Sequence, residues 1–172
     1  MKGREIEVLF AKETIDRRVA EMAREIEADF MDGELVVVGV LKGSFVFMAD
    51  LVRAIKRPLS CDFIRVSSYE HDKDTGVVRM EFDMTQPIGG KNVLLVEDIV
   101  DSGKTLRHLR RHIEAKDPAK MKVATLLYKG TPTNSRTLVD YVGFDSPHKY
   151  VIGYGLDSEG LYRSLPYVGA FK

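Results

Sequence analysis

Two periods of apolar and polar positions alternate along this chain, and the points where one gives way to the other outline its elements. Val93, Leu94, Leu95 and Val96 form a short continuous apolar run, as suits a strand buried on both faces of a parallel sheet. Leu35 to Leu41 (LVVVGVL) and Lys122 to Tyr128 (KVATLLY) read as strands too. So does Cys61 to Val66, and Val78, Met80 and Phe82 alternate after it. Ile15, Val19, Met22, Ile26 and Phe30 instead recur at helical spacing, with Arg17, Arg18, Glu21, Arg24 and Glu25 on the outer face. Phe45, Met48, Ala49, Leu51, Val52 and Ile55 predict a second helix, and Leu106, Leu109 and Ile113 a third. Tyr150 to Asp157 reads as a short strand followed by an acid. In an open α/β sheet of this kind, ligands bind outside the carboxyl ends of the strands.

Composition narrows the class. The 172 residues fit one domain with a full-sized core. Lys and Arg number 26, Asp and Glu 26, so the chain exerts no general pull on nucleic acid or on a membrane surface. Its longest apolar run, Leu35 to Leu41, is too short to span a bilayer. The start, MKGREIEV, lacks the apolar core of a signal peptide. Cys61 is the single cysteine, which excludes an internal disulfide and reads as a packed strand residue. A cytoplasmic enzyme or binding domain is expected.

The chemistry concentrates where the Val93–Val96 strand ends. Glu97 and Asp98 follow it, then Ile99, Val100 and the turn Asp101-Ser102-Gly103-Lys104-Thr105. Gly103 permits a tight turn and close backbone approach, and the amides that open the next helix attract an anion. Ser102 and Thr105 add hydroxyls, Lys104 a fixed positive charge. The carboxylates beside this anion seat suit sugar hydroxyls, so a sugar phosphate fits both halves. A Walker A loop also ends in Gly-Lys-Thr, but it needs a glycine where Asp98 stands. The blander alternative, a solvated turn capped by Asp101 or Ser102, leaves three carboxylates within five residues unexplained.

Other polar features are weaker taken alone. Lys42-Gly43-Ser44 opens a helix and repeats the anion argument, yet an ordinary strand-to-helix turn explains it as well. The stretch EHDKDTG (70–76) reads as a hairpin tip. His108 and His112, four apart, lack a third ligand and read as a solvated helix face. Lys129, Tyr150, Asp157 and Arg163 are singly no more than polar or aromatic residues near strand ends.

Together these residues carry a resemblance. VLLVEDIVDSGKTL resembles the phosphoribosyl-diphosphate signature of the type I phosphoribosyltransferases. LYKGTP followed by VGF, KYVIGYGLD and YR narrows it to the hypoxanthine-guanine phosphoribosyltransferases. The match runs from about Leu35 to Arg163. It implies an α/β fold with a central, mostly parallel twisted sheet flanked by helices and a small hood formed by terminal segments. The core would span about 13–145 and the hood about 1–12 and 146–172 of one domain.

The resemblance also assigns roles. Asp101, Ser102, Gly103, Lys104 and Thr105 would hold a 5′-phosphate, and Glu97 and Asp98 the ribose hydroxyls, directly or through metal. Lys42 and Gly43 would hold pyrophosphate, assisted by Arg163, with a cis peptide between Leu41 and Lys42. Lys129 would donate to O6 of a 6-oxopurine, Tyr150 would stack on it, and the Val151 backbone would read its other edge. Asp101 would be the catalytic proton acceptor. Ser67 and Tyr69 would stand at the base of a lid formed by 70–76. Mg²⁺ is the implied cofactor, with Glu97, Asp98 and Asp157 as its ligands. The implied reaction moves phosphoribose from phosphoribosyl diphosphate to N9 of hypoxanthine or guanine and releases pyrophosphate, in a homodimer or homotetramer without nucleic-acid or membrane partners. Alternatives are a xanthine- or pyrimidine-preferring relative, or an RNA-binding regulator on the same scaffold. Two departures from the common pattern are mild: Tyr150 stands where phenylalanine is also used, and Gly130 where an arginine can follow the lysine.

Overall fold

The computed structural model describes residues 5–68, 78–130, 135–147 and 149–172. Its main sheet has six strands: β2 (Leu35–Leu41), β3 (Ser60–Ser68), β4 (Val78–Phe82), β5 (Asn92–Val100), β6 (Lys120–Tyr128) and β7 (Tyr141–Asp145). They lie in the order β4-β3-β2-β5-β6-β7. All neighbours run parallel except β4, which returns antiparallel along β3. Three helices flank this sheet: α1 (Lys12–Asp29), α2 (Phe45–Ala54) and α3 (Lys104–Glu114). A second, three-stranded sheet joins β1 (Ile6–Phe10), β9 (Val168–Phe171) and β8 (Val151–Ile152), all antiparallel, and forms the expected hood.

Side-chain alternation explains why the central strands are apolar throughout. Leu35 and Val37 of β2, with Leu94 and Val96 of β5, pack against Ile15, Met22 and Ile26 of α1 and Phe47, Met48 and Leu51 of α2. Their neighbours Val36, Val38, Val93 and Leu95 point the other way, into Leu106, Leu109 and Ile113 of α3. A strand covered by helices on both faces has no polar side to show. Among the described residues, no helix is long and apolar enough to cross a membrane.

From β2 the chain steps outward to β3, and from β5 it steps the opposite way to β6. The topological switch therefore falls between β2 and β5, which pair through Val36–Val93 to Gly39–Val96. The turns leaving both strands open on the same edge of the sheet, where ligands of such folds bind.

The expected strand from Tyr150 is shorter than anticipated, since Val151 and Ile152 alone join a ladder, and Gly153 and Leu156 only bridge to each other. Cys61 sits in β3 as expected but is exposed rather than packed. His112 corrects the reading of a solvated face. Its Nε2 lies 2.9 Å from both carboxylate oxygens of Asp83, which also accepts Lys116 Nζ at 2.9 Å.

Candidate active site

Glu97 and Asp98 close the apolar run of β5 at the switch. Glu97 is only 6% exposed and pairs in register with Thr125 of β6. Burial, reinforced by the neighbouring Asp98, pushes its carboxyl well above the ordinary range and favours its neutral form. A neutral carboxyl can both donate to and accept from a hydroxyl. Asp98 keeps some contact with solvent, yet its crowded surroundings raise it to about 6, against the pull of the Ile99 amide and Arg163.

The turn from β2 meets Asp98 directly. The Leu41–Lys42 peptide is cis, as the resemblance implied. A Cβ placed on Gly43 would overlap the Asp98 carboxylate outright, so only glycine lets this acid lie against the turn. Ser44, fully buried, donates to the Val40 carbonyl at 2.7 Å and secures the entry to α2.

After β5 the chain forms a pocket lined by Glu97, Ile99, Val100, Asp101, Ser102, Gly103, Lys104, Thr105 and Leu106. Gly103 has φ +73°, which places the start of α3 over the turn. The first amides of a helix have no partner within it, so this pocket presents donors and a positive helix end together. Lys129, just past β6, brings its ammonium to 3.6 Å from Asp101 Oδ2, and its own amide donates to the Val100 carbonyl at 2.9 Å.

A third segment arrives from the hood side. Arg163 donates from Nη1 to the Gly155 carbonyl at 2.6 Å and pairs through Nη2 with Asp157 Oδ1 at 2.6 Å. The other oxygen of Asp157 accepts the Gly160 amide at 2.7 Å. Gly155, at φ +99°, packs on the Gly43 carbonyl so closely that no side chain fits there. Tyr150 is 65% exposed, and its hydroxyl donates to the Asp157 carbonyl at 2.8 Å, leaving the ring accessible. Val151 is buried and paired with Ala170. Ser67 pairs with Arg79 of β4, whereas Tyr69 and residues 70–76 lie outside the described residues.

The structure thus gathers Gly43, Glu97, Asp98 and the 101–105 turn at the switch, with Lys129 on one flank and Arg163 with Asp157 on the other. It does not gather a metal cage, because no three His, Cys, Asp or Glu side chains among the described residues are placed to hold an ion. Hard oxygen donors supplied one or two at a time still suit Mg²⁺, which takes its remaining ligands from phosphates and water. The spacing of motifs does not point to Gly155, although its Gly-Tyr-Gly setting (153–155) is a turn signal, nor to Tyr128, Ser135 or Arg107, which support the 101–105 turn.

Known proteins resemble this chain along nearly its whole length. The family model for the phosphoribosyl transferase domain matches residues 6–159. A hypoxanthine-guanine phosphoribosyltransferase of Dictyostelium discoideum is 46% identical over 171 residues, covering 96% of this chain and 95% of that protein. A hypoxanthine phosphoribosyltransferase of Salmonella typhimurium is 41% identical, covering 95% of this chain and 94% of its own. The crystal structure of a hypoxanthine-guanine phosphoribosyltransferase from Bacillus anthracis superposes with a TM-score of 0.92 at 43% identity, over 98% of this chain and 100% of that one. With its type I sheet, its switch-point turns and relatives this similar along nearly all its length, the chain belongs to the phosphoribosyltransferase family.

Proposed function

We propose that this enzyme performs purine salvage, moving 5-phosphoribose from phosphoribosyl diphosphate to N9 of hypoxanthine, and of guanine, with release of pyrophosphate. The observation that carries the base assignment is the pair Lys129 and Asp101, 3.6 Å apart at Nζ and Oδ2. O6 and N7 are neighbours on one edge of a 6-oxopurine. A donor and an acceptor set side by side at this separation, too long for a hydrogen bond to each other, match that edge. All three relatives described above are named for hypoxanthine, and two also for guanine.

Breaking the C1–oxygen bond leaves positive character on the ribose and negative charge on the departing pyrophosphate. Asp98 and Glu97 at the end of β5 receive the ribose hydroxyls, and the 101–105 turn holds the 5′-phosphate. Asp101 accepts the proton that the base gives up. Tyr150 stacks on the purine ring, and the Val151 backbone reads its far edge. Lys42, Gly43 and Arg163 hold pyrophosphate. For Arg163 this means sharing or leaving its partner Asp157. Glu97, Asp98 and Asp157 would hold Mg²⁺, which supplies charge neutralisation on the phosphate oxygens. Ser67, Tyr69 and the following residues would exclude water, which otherwise intercepts the activated sugar.

A homodimer or homotetramer completes this reading. A study of the Trypanosoma cruzi hypoxanthine phosphoribosyl transferase concerns the role of its C-terminal region in oligomeric state and activity. Here exposed Phe45, Phe63 and Phe82 supply apolar surface on α2, β3 and β4.

The test is product formation with hypoxanthine, guanine and xanthine in turn, with Mg²⁺ and then with excess chelator. IMP formed only in the presence of Mg²⁺ is the expected result. Absence of IMP under both conditions overturns the assignment.

A further inference from the structure

The phosphate turn is braced from behind by groups that touch no expected ligand. Ser135 begins a 3₁₀ turn (Ser135–Leu138) and is fully buried, with 0% exposure. Its Oγ donates to the Asp101 carbonyl at 2.9 Å and lies 3.2 Å from the Tyr128 hydroxyl. A serine has one proton to give, so with Asp101 as acceptor it is Tyr128 that donates to Ser135. One residue further on, Arg107 Nη1 donates to the Ser102 carbonyl at 3.0 Å. Gly103 fits between these supports: a Cβ there would come 2.8 Å from Ser135 Cβ and 3.1 Å from both Arg107 Nη1 and Leu138 Cδ1.

In a trans peptide the carbonyl and the following N–H point in opposite directions. Fixing the Asp101 carbonyl toward Ser135 therefore turns the Ser102 amide away from it. Fixing the Ser102 carbonyl toward Arg107 does the same for the Gly103 amide. Two consecutive amides held this way, before a left-handed glycine, make a concave anion nest. A flipped peptide would instead present a carbonyl oxygen to the phosphate.

We propose that Ser135, with Tyr128 behind it, is a positioning residue that sets the Asp101–Ser102 peptide with its amide toward the 5′-phosphate. The pair Ser135–Tyr128 also ties this peptide to the last residue of β6, next to Lys129, so the phosphate and base halves of the site share one brace. The inference rests on the reading of the 101–105 turn as the phosphate seat. Ser135 and Tyr128 are both uncharged, so removing their hydroxyls tests peptide orientation without removing charge, which Arg107 substitution would do.

The experiment compares binding of IMP and inosine, which differ only in the 5′-phosphate, to the wild type, Ser135→Ala and Tyr128→Phe by calorimetry. The wild type should prefer IMP strongly. Ser135→Ala should lose 10-fold or more of its IMP affinity with inosine affinity unchanged, and Tyr128→Phe about 3-fold, since Ser135 can still donate. Adding Tyr128→Phe to Ser135→Ala should cause no further loss, because the two hydroxyls act in series. A wild-type IMP-to-inosine ratio retained in Ser135→Ala overturns the brace while the phosphate seat stands. If Ser135→Ala does not fold, an unchanged ratio in Tyr128→Phe overturns it equally. A wild type that binds IMP no better than inosine overturns the phosphate seat and the brace together.

Discussion

The Asp98 carboxylate occupies the volume that any side chain at Gly43 would need. Gly43 lies just beyond β2 and Asp98 within β5, on either side of the topological switch. Their contact thus locks the proposed pyrophosphate turn against the proposed ribose acid. Gly155 seals the arrangement by packing its α-carbon on the Gly43 carbonyl.

Gly43→Ala should therefore be a functional lesion more than a structural one. The methyl group must displace Asp98, and an ångström-scale misplacement of such a group costs on the order of 100-fold in rate. We expect kcat/KM to fall by at least about that factor while circular dichroism and the melting profile keep their wild-type form. Steady-state kinetics at near-wild-type rates would show that Asp98 can retreat from Gly43 without consequence.

The sequence made the middle of this site legible because its strands are buried on both faces. β2 and β5 are continuous apolar runs, and each ends in a turn with its own chemistry. The hood was harder to read: β1 and β9 have five and four residues, and the pair Val8–Gly169 gives no alternating pattern to detect. β7 was obscured by Gly143, which looks like a turn but is needed because a side chain there would strike the Leu126 carbonyl. Ser135 carried no signal, since a serine beyond Thr-Pro-Thr-Asn resembles any loop residue. The misreading of His112 has the same origin, for helical periodicity says nothing about an acid arriving from 29 residues away.

That acid, Asp83, gives a pH prediction. Partial burial works to raise its carboxyl, but hydrogen-bonded pairing with Lys116 and His112 outweighs this and holds it below the ordinary 3.8. A carboxyl whose folded value is lowered stabilises the fold above its unfolded value, and the contribution is lost as pH falls through the folded one. Asp83→Asn should thus cost about 1 kcal/mol at neutral pH, discounted for its partial exposure, or roughly 2–4 °C in Tm. The gap between variant and wild type should close below about pH 3.8. A gap that stays constant into the acid range would assign the loss to packing instead.

Lys129 and Asp101 face the same proposed purine edge, so their variants should fail differently. Lys129→Ala removes the proposed donor to O6 in the ground state and the transition state alike. Its KM for hypoxanthine should rise 10-fold or more, and its KM for phosphoribosyl diphosphate should change little. Equal rises for both substrates would remove the O6 assignment.

Asp101→Asn keeps the shape and the backbone of the proposed phosphate turn, including the carbonyl held by Ser135. The ability to take a proton is lost, together with the negative charge that faces Lys129. If that ability is used as bond breaking proceeds, kcat should drop by about 10²–10⁴-fold while the dissociation constant for phosphoribosyl diphosphate stays within a few-fold of wild type. The pH dependence is the sharper reading. A proton acceptor at this position gives the wild type an acid limb in its kcat profile, and asparagine, which cannot ionise, should flatten it. A residual rate that keeps the wild-type acid limb would move the proton role to another group. Glu97 and Asp98 would then be examined first, since both carboxyls already sit above the usual range in the free protein.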